Sequence, residues 1–189
     1  MSAITELDFS ILDALQKIHN PVLDVIMAIF TAMGEYGAFW VIMTIVMLCI
    51  KKTRDVGKTS FVVLFMEFFI SEKFLKHLIA RDRPFVVRDW VELSPYILKP
   101  HGYSCPSGHT CTSFSVATVI FLYNKKLGIA AYAVACVIGF SRNYFYVHFP
   151  SDVLLGALEG ILLGIIAYFI TKKIREKRAE KALTSSEDQ

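Results

Sequence analysis

Apolar runs long enough to enter a bilayer alternate with short polar blocks along this chain, and the alternation predicts its architecture. A membrane-crossing helix needs roughly 20 mostly apolar residues. Segments 59–79, 108–123, 127–147 and 152–171 meet or approach that length. Upstream, 21–50 is apolar throughout except at Gly34-Glu35-Tyr36-Gly37. One straight span here would set Glu35 near the bilayer centre, which is costly without a partner. Two short spans that turn at Gly34–Gly37 avoid that cost. Each would hold about 13–15 residues, or roughly 20 Å; a single span, giving five in all, is the alternative. Residues 5–19 place Phe9, Leu12, Leu15 and Ile18 on one side, the pattern of a helix lying at the interface. The expected fold is therefore an all-α integral membrane protein. It is a six-span helical bundle over 21–173, with an N-terminal interfacial amphipathic helix over 1–20 and a charged cytoplasmic tail over 174–189.

Composition agrees with one membrane domain. The 189 residues are 54% hydrophobic and only 20% charged, outside the usual range of a soluble domain. Residues 1–20 carry Glu6, Asp8 and Asp13 and lack a basic start followed by an apolar core, so no cleavable leader is expected. The net charge of +3, with no basic stripe bearing stacking aromatics, argues against nucleic acid as a partner. Cys49 and Cys136 fall inside apolar segments, and a helix start separates Cys105 from Cys111, so no disulfide framework is expected.

The position of the cations says more than their sum. Lys51, Lys52, Arg54 and Lys58 form one cluster, Lys125 and Lys126 a second, and the stretch Lys172 to Lys181 a third. Six spans put all three clusters, and both termini, in the cytoplasm, as the positive-inside bias requires. Lys73, Lys76, Arg81, Arg83, Arg88, Lys99 and Arg142 then sit at the outer side, against that bias. Either Glu72, Asp82, Asp89, Glu92 and Asp152 neutralise them, or an anionic ligand does. Gly156, Gly160 and Gly164 recur every four residues and form a ridge for close helix packing. Glu67 and Glu159 are intramembrane and should face the bundle interior.

Three outer blocks carry candidate chemistry. Pro106-Ser107-Gly108-His109 opens a helix; Ser suits the cap, Gly admits a ligand to the backbone, and free N–H groups there favour an anion. Taken alone, this block would be a plain helix cap. His109 follows in the first turn, with a pKa range suited to proton donation near neutrality. Ser141-Arg142, five residues, His148, three residues, Asp152 joins two spans. Arg142 can grip phosphate oxygens with a planar fork. A carboxylate on one imidazole nitrogen of His148 would leave the other free to attack; otherwise Asp152 is an acid at a helix start and His148 an interfacial histidine. Lys76 and Arg83-Pro84 close the outer end of 59–79 and could reach the same anion, with Pro84 stopping the helix.

These three blocks, complete and in this order, resemble the signature of the type 2 phosphatidic acid phosphatase superfamily: Lys-x6-Arg-Pro, Pro-Ser-Gly-His and Ser-Arg-x5-His-x3-Asp. The motifs cover residues 76–152. The resemblance implies a metal-independent phosphatase without a cofactor. By motif position, His148 is the nucleophile that forms a phosphohistidine, Asp152 orients it, and His109 protonates the leaving oxygen. Lys76, Arg83, Ser107, Gly108 and Arg142 bind the phosphate. Three cations and backbone donors would supply the charge stabilisation that phosphoryl transfer needs.

A site at the outer interface suits a substrate with its phosphate in water and its tail in lipid. Phe85, Trp90, Tyr103, Phe145 and Tyr146 are available to line a lipid groove. The small size resembles bacterial members acting on undecaprenyl diphosphate, the first expectation, or on phosphatidylglycerophosphate or phosphatidate, the second. A lipid phosphotransferase would use the same site with another acceptor. A transporter or scramblase would use the buried charges but leave the two histidines without a task. Serine hydrolysis at Ser107 is disfavoured by its place at a helix cap. The partners expected are a phosphorylated lipid and the membrane lipids of the cell membrane; nothing in the sequence sets an oligomeric state.

Overall fold

The computed structural model describes residues 3–88 and 94–187, and every regular element in it is helical. Asp89, Trp90 and Glu92, expected above as counter-charges or groove residues, lie outside the described residues. The order is α1 (Ala3–Gln16), α2 (Pro21–Gly34), α3 (Ala38–Cys49) and α4 (Arg54–Glu67), which runs on through a π-helical stretch (Phe68–Leu75) into α5 (Lys76–Ile79). After α6 (Pro84–Val87) come α7 (Gly108–Tyr123), α8 (Lys125–Tyr144) and α9 (Pro150–Glu187).

Helix α7 is the axis of the bundle. Cys111, Val116, Ala117 and Val119 are wholly buried, and its polar residues Ser113 and Ser115 are buried with them. Each hydroxyl is satisfied inside: Ser113 Oγ donates to the His109 carbonyl at 2.6 Å and accepts from Trp40 Nε1 at 2.8 Å, and Ser115 Oγ donates to the Thr112 carbonyl at 2.9 Å. Small residues on α7 meet the glycine ridge of α9. A Cβ at Gly156 would lie 2.7 Å from the Ser107 carbonyl oxygen, and one at Gly164 would lie 2.7 Å from Thr118 Cβ. A Cβ at Gly160 would run into the Cys111 carbonyl oxygen. The ridge therefore serves packing within the bundle, as its spacing predicts. Larger apolar residues point outward, as lipid-facing helices require: Ile42, Phe61, Ile129, Leu158 and Leu162 are all exposed.

The expected reversal at Gly34–Gly37 does not occur. Contacts advance steadily along two neighbours: Asp24 meets Tyr144, Thr31 meets Arg142, and Gly34 abuts Ile138 and His109. Gly37 then abuts Thr112, and Trp40 bonds Ser113. Helices α2 and α3 thus descend in one direction as a single broken traverse. The six helical segments are present, but two of them are halves of one. The break is made by Tyr36 at φ 51° and Gly37 at φ 66°. Irregular backbone at membrane depth is tolerated where it faces a cavity, and Glu35 faces one. That contact, invisible in the sequence, removes the burial cost that argued for a turn.

Two consequences follow for the ends. Helix α1 packs beside the 145–151 turn: Phe9 sits edge-on to Phe149 with centroids 5.1 Å apart, and Phe9 and Leu12 are buried there. Its free apolar stripe is instead Ile4, Leu7 and Ile11, all exposed, so the expected Phe9–Leu12 face is turned inward. The odd number of traverses then sets the N-terminal helix and the C-terminal end of α9 at opposite ends of the bundle, against the expectation of a shared side. The three basic clusters do share one end: Arg175 pairs with Asp55 at 3.3 Å and Thr59 bonds Thr171 at 2.8 Å. Asn124 caps α8 there, accepting from Leu127 N at 3.1 Å. Helix α9 continues past 173 without interruption, with residues 176–184 exposed. The four cysteines are free.

The close α7–α9 contact predicts that Gly160→Ala lowers stability by about 1–3 kcal/mol through overpacking. Leu162→Ala, on the exposed face, should change it by less than about 0.5 kcal/mol. Thermal unfolding of the two purified variants in detergent checks the contrast.

Candidate active site

At the end of the bundle where α1 sits, four chain segments meet: the turn after α5, the loop before α7, the first turn of α7, and the α8–α9 turn. Helix α5 stops at Ala80, whose φ of 48° is left-handed. Pro84 is not the stop that the sequence suggested; it opens α6, with Arg83 extended before it as the residue preceding proline prefers. The abrupt stop turns Arg81 and Arg83 back over the bundle.

Arg83 is fixed by backbone. Its Nε donates to the Gly102 carbonyl at 2.9 Å, Nη1 to the Val147 carbonyl at 3.0 Å, and Nη2 to the His101 carbonyl at 3.2 Å. Nη1 also lies 3.2 Å from His148 Nε2. A guanidinium can only donate, so this imidazole nitrogen accepts and the proton of the neutral ring sits on Nδ1. Burial pushes the Arg83 guanidinium down to about 10, leaving it charged at neutral pH. Burial also pushes the His148 imidazole well below its ordinary range; Asp152 opposes the shift, and the cations of Arg83 and Arg142 reinforce it.

Asp152 lies behind His148, with Oδ2 3.8 Å from Nδ1. This is ion-pair range rather than a hydrogen bond, and among the described residues Nδ1 has no other partner. The carboxylate is occupied elsewhere: Arg81 Nη1 donates to Oδ1 at 2.7 Å, and Ser104 Oγ and Phe149 N donate to Oδ2, the latter at 2.9 Å. Arg81 is anchored in turn by Asp8 of α1 at 2.8 Å and stacks over Phe149 at 3.8 Å. Arg81, Asp8 and Ser104 went unseen as site components. Arg81 stood among the outer cations, but no local pattern marks Asp8, whose role depends on α1 docking.

The remaining predicted residues divide. Lys76, Arg83, Gly108, His109, Arg142 and His148 all line one cavity of about 910 Å³. Lys76 is paired with Glu72 at 2.6 Å, and a Cβ at Gly108 would strike that same carboxylate. Arg142 donates Nη1 to the Thr31 hydroxyl and keeps Nε unpartnered. Among the described residues, no carboxylate lies within ion-pair distance of Arg83 or Arg142. Ser107 does not line the cavity. It holds the cap position of α7 without a side-chain cap; its hydroxyl accepts from Thr110 Oγ1 at 2.9 Å, and its N–H donates to the Asp152 carbonyl at 3.2 Å. Asp152 is likewise behind the wall.

Of the aromatics expected in a groove, Phe85, Phe145 and Tyr146 are buried in the packing, and Tyr103 lies edge-on to His77. Apolar lining comes instead from Val41 and Leu64 together with Phe68 of the π-helical stretch. Glu67 is buried and lines the cavity with one oxygen unpartnered; Glu159 accepts from Ser71 Oγ at 3.2 Å. Among the described residues, no group of three His, Cys, Asp or Glu side chains is arranged to hold a metal ion. Two fixed guanidinium groups, an ammonium, a helix start and a buried neutral imidazole around one cavity can hold a phosphate against a nucleophile.

Comparison with known proteins gives the family of the chain. Residues 56–176 match the model of the PAP2 superfamily. The undecaprenyl-diphosphatase of Sulfolobus acidocaldarius is 31% identical over 80% of this chain and 73% of its own length. Phosphatidylglycerophosphatase B of Bacillus subtilis is 30% identical over 93% and 87%. The crystal structure of a transmembrane PAP2-type phosphatidylglycerolphosphate phosphatase from Bacillus subtilis superposes with a TM-score of 0.73 at 28% identity, over 92% of this chain and 89% of that one. Aquifex aeolicus LpxE does so with a TM-score of 0.73 at 30% identity, over 86% and 94%. With the three motifs inside the matched region and the helical fold shared along most of its length, the chain belongs to the PAP2 superfamily and is a membrane lipid phosphatase.

Proposed function

We propose that the protein hydrolyses a diphosphate lipid, undecaprenyl diphosphate, at the outer face of the cell membrane through a phosphohistidine on His148. The observation that carries this reading is the placement of His148 Nε2: buried, neutral, and 3.2 Å from the Arg83 guanidinium on the wall of a cavity that Lys76 and Arg142 share. A lone pair on Nε2 attacks phosphorus as the bond to the leaving oxygen breaks. His109 gives a proton to that oxygen. Water then attacks the phosphohistidine, the N–P bond breaks, and His109 takes the water proton. The negative charge spread over the phosphoryl oxygens is met by Lys76, Arg83, Arg142 and the Gly108 turn, which is the main requirement of phosphoryl transfer. Asp152 acts from behind the ring, holding the Nδ1–H tautomer; Ser107 acts through the backbone of the turn. The cation set takes the part that a divalent ion plays elsewhere, so no metal or cofactor is needed.

The diphosphate is preferred because the Sulfolobus relative bears that activity in its name. Phosphatidylglycerophosphate is the second reading, favoured by the Bacillus relative and its structural counterpart. For the membrane, we propose five crossings: α2–α3, α4–α5, α7, α8 and the first two-thirds of α9. The three basic clusters lie on the cytoplasmic side, and the site and α1 on the outer side, in line with the positive-inside bias. Exposed Ile4, Leu7 and Ile11 would rest α1 in the outer leaflet. Residues 174–189 form a charged cytoplasmic tail that starts within a continuing helix. Val41 and Phe68 lead from the cavity toward the lipid, a path for the tail.

Inorganic phosphate release from undecaprenyl diphosphate, measured in EDTA with no added acceptor, should fall by on the order of 10³-fold or more in His148→Ala. Unchanged turnover in that variant removes the nucleophile, and a strict need for another acceptor makes the protein a phosphotransferase. Nitrogen-15 NMR of ring-labelled histidine should find His148 as the neutral Nδ1–H tautomer at pH 6, below the ordinary value of about 6.5; an imidazolium there contradicts the site. In a background without native cysteines, single cysteines at positions 3 and 101 should be labelled from outside intact cells. One at position 125 should react only after permeabilisation, and labelling of position 3 only from inside would restore the even number of crossings.

A further inference from the structure

The break between α2 and α3 sets a carboxylate in the cavity that the three motifs do not account for. Glu35 Oε2 lies 3.4 Å from His109 Nε2. Among the described residues, no hydrogen bond reaches that nitrogen. Glu35 makes no second ion pair among the described residues. The local backbone is shaped around this approach. A Cβ at Gly34 would lie 2.5 Å from His109 Cδ2, and one at Gly37 would lie 3.1 Å from Thr112 Cγ2, one turn along α7. Tyr36 takes a left-handed φ of 51°, which an ordinary residue adopts only at some energetic cost. Two glycines and a strained residue thus press the break against the first turn of α7 and leave Glu35 pointing at the imidazole.

We propose that Glu35 is the positioning residue of His109, forming a second histidine–carboxylate couple that holds the ring and stabilises its protonated, proton-donating form. The inference rests on the reading of His109 above. Lys76, Arg83 and Arg142 share the cavity with His109, and three cations oppose a fourth positive charge. Glu67 and Glu72 also line the cavity, but Glu72 is taken by Lys76. Among the described residues, Glu35 is the carboxylate in ion-pair range of the ring, so it offsets that repulsion where the proton must sit. At 3.4 Å the pair is a small side-chain shift away from a hydrogen bond of ordinary length. The two couples divide the reaction. Asp152 favours the His148 proton at Nδ1 and so leaves the Nε2 lone pair for attack, and Glu35 favours the charged form of His109 for protonation of the leaving oxygen as its bond to phosphorus breaks.

A general acid matters in proportion to how poor the leaving group is. The test compares dioctanoyl phosphatidate, whose alkoxide needs a proton, with p-nitrophenyl phosphate, whose nitrophenolate does not. In Glu35→Gln, kcat on phosphatidate should fall by roughly 10- to 100-fold, up to the low end of general acid effects, because His109 itself remains. That loss should exceed the loss on p-nitrophenyl phosphate at least tenfold, with KM little changed. Glu35→Asp keeps the charge and should recover part of the rate, which also guards against a Gln variant that fails to fold. His109→Ala should show the same bias more strongly. Equal losses on the two substrates in Glu35→Gln, or none, overturn the role of Glu35 when His109→Ala is still biased. An unbiased His109→Ala overturns the acid assignment and Glu35 with it. A wild-type protein that releases phosphate from neither of these substrates nor from undecaprenyl diphosphate overturns the parent reading instead.

Discussion

Asp152 is the point on which the functional end of the molecule turns. It is fully buried, and a lone carboxylate in that setting would be prohibitive. It persists because three donors surround it, from the loop after α5, the loop before α7, and the turn into α9. Its own carbonyl accepts from Ser107 N, which pins the start of α7. Arg81 extends the set to Asp8 and so holds α1. A charge that is expensive to bury becomes a specific tie between separate segments, because only one arrangement satisfies it. The cation cradle and the His148 ring inherit their positions from that arrangement.

The second constraint is the polar cavity in an apolar bundle. The break at Glu35–Gly37 and the π-helical stretch before Lys76 both line it, and the left-handed stop at Ala80 follows shortly after Lys76 on the same segment. In lipid such irregularities leave backbone groups unsatisfied, so they are confined to the protein interior. The rigid part, α7 against the glycine ridge of α9, holds the opposite wall. The site is thus built from irregular segments leaned on one well-packed helix pair.

Much of this site was legible because chemistry is written in residue type. Lys76, Arg83, Gly108, His109, Arg142 and His148 were all named from their motifs, and all line one cavity. The lipid-facing apolar segments, the three basic clusters and the use of the glycine ridge were legible for a similar reason: composition and period constrain them locally. The direction of α2 and α3 was not. A short polar interruption reads equally as a turn or as a break, and the choice depended on Glu35 finding His109 across the fold. Phe9, Phe85, Phe145 and Tyr146 were misplaced in the same way, since an aromatic does not say whether it meets lipid, ligand or protein.

The sequence by itself determined the class of the molecule, the membrane-entering segments, and which side chains could handle a phosphate, since hydropathy, charge and functional groups are properties of residues. Tertiary structure alone decided how many times the chain runs the length of the bundle, which end holds α1, and that Asp8, Arg81 and Ser104 brace Asp152. Those outcomes come from pairing between residues far apart in the chain. Such pairing is selected by the cost of leaving a buried charge unmet, and no local window of sequence contains it.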